Sequence, residues 1–100
     1  MNLQVIRLLN GEEIIGEVEK GIVNLGYTSV KRPMVILFDA NTNNLMIRPW
    51  AIFTQQDATY DLNNTTVVFA AEPIDELKNL YQQALGKLIT PPKQGLILPK

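Results

Sequence analysis

Ile6-Arg7-Leu8-Leu9-Asn10-Gly11-Glu12-Glu13-Ile14-Ile15-Gly16-Glu17-Val18 is the stretch on which the fold turns. Two apolar-alternating runs flank Asn10-Gly11. Asn-Gly in that position is the strongest short hairpin signal, because a type I′ turn needs φ > 0 at both central residues. In the second run Ile14, Gly16 and Val18 share one face, and Glu13, Ile15, Glu17 and Glu19 share the other. Gly16 therefore falls on the buried side. Glycine weakens a flat strand but suits a place where a sheet bends sharply, so the hairpin predicts a small curved barrel.

Further along, Lys20 to Gly26 reads as a loop, and Tyr27–Phe38 as a long third strand. Pro33 interrupts that strand and marks a bulge or an edge, since proline cannot donate to a ladder. Met34–Phe38 is apolar throughout, as in a strand covered on both sides. Asp39–Asn44 is turn chemistry, Leu45–Phe53 a fourth strand carrying Pro49, Gln55–Asn64 a polar loop and Thr65–Ala71 a fifth strand. Helix comes last. Pro73 suits its first position, Asp75 and Glu76 its first-turn dipole, and Gly86 its end. Ile74, Leu77, Leu80, Tyr81, Ala84 and Leu85 form one apolar stripe predicted to pack on the barrel. Residues 1–86 thus make one domain, and 87–100 a flexible tail with prolines at 91, 92 and 99 and a short apolar patch, Leu96-Ile97-Leu98.

Composition narrows the function. The chain has 100 residues, 46% apolar, with no cysteine and no histidine. Thiolate sites, histidine ligands and nucleophile–histidine pairs are absent from such a sequence. Glu12, Glu13, Glu17 and Glu19 crowd one hairpin, but four acids there read as a solvated face rather than as a catalytic site. The expectation is a binding protein rather than an enzyme, with no cofactor and no metal. The longest apolar runs, Met34–Phe38 and Val67–Ala71, fall far short of the roughly 20 residues a membrane span needs. A soluble, cytoplasmic protein is expected. Residues 1–85 hold six bases and all ten acids, net −4, whereas Lys87, Lys93 and Lys100 give the last fifteen +3. A body at −4 argues against non-specific duplex binding, where phosphate neutralisation dominates affinity.

Five short strands and a bent hairpin suit an SH3-like barrel or an OB-fold. The pattern Ile6-x-Leu8-x-x-Gly11-x-x-Ile14-x-Gly16-x-Val18 resembles the first motif of the Sm and Sm-like family. Pro49-Trp50 and Glu72-Pro73-x-x-Glu76-Leu77-x-x-x-Tyr81 look like the Sm-like proteins of cyanobacterial phages and marine metagenomes, and the likeness spans residues 3–85. It implies a mainly β fold, a strongly bent five-stranded Sm-like (SH3-like) barrel, here with a C-terminal α-helix. It also implies a homo-oligomeric ring, about five to seven subunits, in which the fourth strand of one subunit pairs with the fifth of the next. If the chain is phage-encoded, the cytoplasm is that of the host cell.

The departures are specific. The family places its helix before the first strand. Its first motif continues into an Asp-x-aromatic-x-Asn loop, of which only Val23-Asn24-Leu25 resembles the end. Its second motif carries Arg-Gly where this chain has Leu62-Asn63-Asn64-Thr65-Thr66-Val67. The family's base pocket is therefore not carried over whole. Asn24, Asn63 and Asn64 can hydrogen-bond base edges, Tyr27 can stack, and Lys31, Arg32 and Arg48 can meet phosphates. The first reading is a ring that binds single-stranded nucleic acid, RNA ahead of DNA. The rival is a protein-binding ring or scaffold, such as a phage assembly factor. Each residue also has a plainer use: asparagines form turns, Lys31 and Arg32 blunt an edge strand, and Trp50 packs in the core or at an interface.

Overall fold

The computed structural model describes residues 2–19, 26–51, 54 and 58–89. Six strands and one helix follow one another as β1 (Leu3–Leu8), β2 (Glu13–Val18), β3 (Tyr27–Asp39), β4 (Asn44–Pro49), β5 (Thr59–Asn63), β6 (Val67–Ala71) and α1 (Asp75–Ile89). A 3-10 turn, Asn64–Thr66, separates β5 from β6. All pairings are antiparallel, in the order β4-β3-β2-β1-β6, with β5 also on β3. The sheet is open: β4 and β6 end the path and do not pair with each other.

The expected fourth strand ends early, at Pro49, and the expected polar loop contains a strand, Thr59–Asn63. Thr-Tyr-Asp-Leu-Asn does alternate with period two, but over five residues with only two apolar ones, so its partners settle it: Leu62 is buried and Tyr60 packs beside it in the core. β4 and β5 pair successive halves of β3 on the same side, residues 34–39 and 27–31 respectively. With β2 on its other side, β3 is central, so the edge-strand use of Lys31 and Arg32 is corrected.

The hairpin forms, with a different turn from the one expected. Gly11 has φ +92°, but Asn10 is not among the residues with positive φ. Gly11 N donates to Leu8 O at 2.9 Å and Leu8 N to Glu12 O at 2.8 Å. This is the three-residue hairpin loop in which an ordinary turn is followed by a left-handed glycine, not type I′. Asn10 Oδ1 accepts from Glu12 N at 2.9 Å, fixing the turn with its side chain instead of a left-handed backbone.

The bend lies at Gly16. Ile15 pairs with Met34 and Glu17 with Lys31, so Gly16 faces two residues, Arg32 and Pro33, across a β-bulge. Arg32 takes φ 52°. A Cβ on Gly16 would stand 2.6 Å from Val30 Cγ1 and 3.2 Å from both Lys31 O and Pro33 Cα. No other residue fits without moving the bulge.

The bulge also switches the parity of β3 and so divides the core. On one side Ile6, Leu8, Ile14, Val30, Val35 and Leu62 pack together, on the face away from α1. On the other, Leu3, Ile15 and Met34 lie under Leu77, Tyr81 and Leu85 of α1. The face carrying Glu13, Ile15 and Glu17 is therefore covered at Ile15. Three buried α1 side chains, at roughly 1.5–3 kcal/mol each, hold the helix in place. Ile74, expected in the stripe, is exposed. Its carbonyl accepts from Lys78 N at 3.0 Å, so the helix is entered at Ile74 and Pro73 stands just outside. The helix also passes Gly86 to Ile89, past the expected tail boundary. An interior glycine costs about 1 kcal/mol, too little to end a helix anchored by Leu85. Residues 90–100 lie outside the described residues.

Candidate functional site

β3 and β5 bring three of the expected residues to one corner. Tyr27, exposed at the start of β3, lies directly opposite Asn63. Asn64 follows at the 3-10 turn, its N–H donating to Gly26 O at 3.0 Å. The side chains of both asparagines are already engaged. Asn63 Oδ1 accepts from Thr65 N at 3.0 Å and from Thr65 Oγ1 at 2.9 Å, capping the turn. Asn64 Oδ1 accepts from Thr28 Oγ1 at 2.6 Å. Their amide nitrogens make no hydrogen bond among the described residues, so each keeps two donors for a ligand. Asn24 lies outside the described residues.

The cations do not join this corner as one patch. Lys31 stands four residues along β3, opposite Thr59 and Glu17. It lines a shallow cleft with Glu17, Glu19, Ser29 and Thr59, in which carboxylates outnumber it. Arg32 turns toward Glu17, with Nη1 3.6 Å from Oε2. That nitrogen is buried and makes no hydrogen bond among the described residues, so Arg32 sits at the bend beside Glu17. Arg48 lies past the bend, opposite Val35, exposed and without an ion pair among the described residues.

Arg48 lines a second, larger notch with Arg7, Glu12, Phe38 and Trp50, where the first hairpin meets β3 and β4. Its acids are occupied. Glu13 Oε2 accepts from Arg7 Nη2 at 2.6 Å. Hydrogen bonds from Asn10 and Trp50 Nε1 hold the Glu12 carboxyl below its usual range. Trp50 packs against the core of Ile6, Ile14 and Leu62 and meets Tyr60 edge-on, 5.8 Å between centroids. In the single chain Trp50 is half-buried.

Sequence reasoning did not single out Tyr81 as a positioning group. Fully buried, it donates from its hydroxyl to Arg32 O at 2.9 Å and so ties α1 to the bulge. Burial, and next the Glu17 charge, push its pKa up to about 12, against the lowering effect of Arg32. The only signal in the sequence was a polar tip on an apolar stripe. Among the described residues no group of three His, Cys, Asp or Glu side chains could hold a metal ion, and no helix is long and apolar enough to cross a membrane. No known family model and no curated protein matches the chain.

Proposed function

We propose that this is an Sm-like subunit that assembles head to tail with copies of itself and, assembled, binds single-stranded nucleic acid. One observation carries the reading. Among the described residues β4 and β6, the two ends of the strand path, are unpaired on their outer sides, as is β5, and apolar exposure gathers along the first two. Seven large apolar side chains among the described residues are exposed: Val68 and Phe69 lie on β6 with Leu9 beside it, and Met46 lies on β4 with Phe38 beside it on β3, whereas Ile74, at the entry to α1, and Tyr27 lie elsewhere. Unpaired apolar edges are a template for another strand, and two different edges on one chain favour a heterologous contact that can close into a ring. Counting β4 and β5 as halves of one interrupted strand gives the five-strand order of an Sm-like sheet.

The nucleic-acid part rests on the Tyr27–Asn63–Asn64 corner, with one ring to stack and free amide donors to read bases. Repetition around an assembly would raise the effective concentration of these weak contacts. Light scattering at micromolar concentration is expected to give a multiple of 11.2 kDa. Labelled single-stranded RNA is expected to bind at micromolar or better, more weakly as salt rises, and Tyr27→Ala to change preference among bases. A single-chain mass would overturn the assembly. An assembly that binds no single strand at low salt would leave the second reading, a protein-binding scaffold. The carboxylates around Lys31 favour that alternative.

A further inference from the structure

Asn10-Gly11, at the tip of the first hairpin, is the one Asn-Gly pair in the chain; the other eight asparagines precede Leu, Thr or Asn. Both residues of the pair are exposed. Such a pair can rearrange without enzyme or cofactor. The backbone nitrogen after an asparagine can close a five-membered ring on its side-chain carbonyl carbon, and glycine puts no Cβ in the way. We propose that Asn10 is a deamidation site that the closed hairpin keeps latent, with Glu12 as the latch. The inference is independent of the assembly and nucleic-acid readings above.

In the reaction Gly11 N gives up its proton and bonds to Asn10 Cγ. The Cγ–Nδ2 bond breaks, and Nδ2 leaves as ammonia. Water then opens the cyclic imide at either carbonyl. Opening at Cγ leaves aspartate, whereas opening at the Asn10 backbone carbonyl leaves isoaspartate, with the main chain rerouted through Cβ and Cγ. Water is the co-reactant, and nothing is oxidised or reduced.

In the closed hairpin both reacting groups are engaged. Gly11 N donates to Leu8 O at 2.9 Å. Asn10 Oδ1 accepts from Glu12 N at 2.9 Å and Nδ2 donates to Glu12 Oε1 at 3.1 Å, so both ends of the amide are held toward Glu12. Glu12 is itself fixed, its Oε1 also accepting from Trp50 Nε1 at 3.1 Å. Attack therefore needs the turn to open, which at an exposed tip costs less than unfolding the chain. The products do not close the same turn. Aspartate sets a carboxylate where Asn10 donated to Glu12, a like-charge contact. Isoaspartate adds a backbone carbon to a three-residue loop whose length sets the register of the hairpin. Either way, the notch lined by Asn10, Arg7, Glu12, Glu13 and Arg48 passes from two acids against two bases to three against two.

The test compares the full chain folded, as judged by circular dichroism, with the full chain unfolded in urea at the same mildly alkaline pH. After digestion, mass spectrometry assigns the conversion of amide to acid to each asparagine. In the unfolded chain Asn10 is expected to convert ahead of the other eight. In the folded chain its conversion is expected to be slower by about tenfold or more, because the turn must first open. Glu12→Ala should raise the folded-chain rate several-fold. Glu12→Gln, whose side-chain oxygen accepts from the same amide, should stay near the parent. Equal rates in the folded and unfolded chains would overturn the proposal, as would a folded Glu12→Ala chain that reacts no faster than the parent. Preferential conversion of another asparagine in the unfolded chain would remove the site itself.

Discussion

Within the first hairpin, Gly11 and Gly16 are five residues apart and are needed for different reasons. At the tip, Gly11 sits at φ +92° with nothing within 4 Å of where a Cβ would stand. The constraint there is conformational and local. At the bend, a Cβ on Gly16 would run into Val30, Lys31 and Pro33, all on another strand. The constraint there is space, and it exists only once β3 has folded over β2. A turn is thus fixed by the few residues that make it, whereas a bend is fixed by everything packed on both sides of it.

The bend should suffer most from substitution. Gly16→Val is expected to cost about 3 kcal/mol, the upper part of the overpacking range, because Val30 is fully buried and the other two contacts are backbone. Urea unfolding measures it, and a loss below that of Gly11→Val would reverse the comparison.

Next in size is the clamp on the bend. The Tyr81 hydroxyl is held neutral, with its pKa raised to about 12 from an ordinary 10. A folded-state pKa above the unfolded one gives stability that is complete below pH 10 and lost as pH rises toward 12. About 2–3 kcal/mol should disappear across that window, at 1.36 kcal/mol per pH unit. Tyr81→Phe should flatten the difference between pH 9 and pH 12. A parent whose melting temperature falls no faster than the variant's would show that the clamp carries no such linkage.

The smallest effect belongs to the tip. Gly11→Val should cost roughly 1–3 kcal/mol, centred near 2, from a β-branched residue held at positive φ. Gly11→Asn should recover most of it, since asparagine tolerates that region. Equal losses for valine and asparagine would mean that the tip, like the bend, is limited by space.

The same contrast explains which parts of the molecule the sequence revealed. The hairpin, the bend at Gly16, the long third strand and the C-terminal helix were legible, because each is set by neighbours in the chain or by apolar periodicity. Asn10-Gly11 announced a hairpin without specifying its turn, since Asn10 could serve through its backbone or its side chain and used the latter. β5 stayed hidden because Leu62 and Tyr60 become core only against β3. Gly86 looked like a stop because its cost is intrinsic, while the hold of Leu85 on the core is tertiary. For the candidate site, Tyr27, Asn63 and Asn64 were named from residue type, and register alone brought them together.

By itself, then, the sequence determined a cysteine-free, histidine-free, β-rich chain with a bent hairpin and a closing helix, since composition and short-range pattern need no partner to be read. Only the tertiary structure decided that Lys31 sits among carboxylates, that Arg32 sits at the bulge beside Glu17, and that among the described strands β4 and β6 end the sheet. Those are properties of distance between residues far apart in the chain, and spacing along the sequence does not encode them.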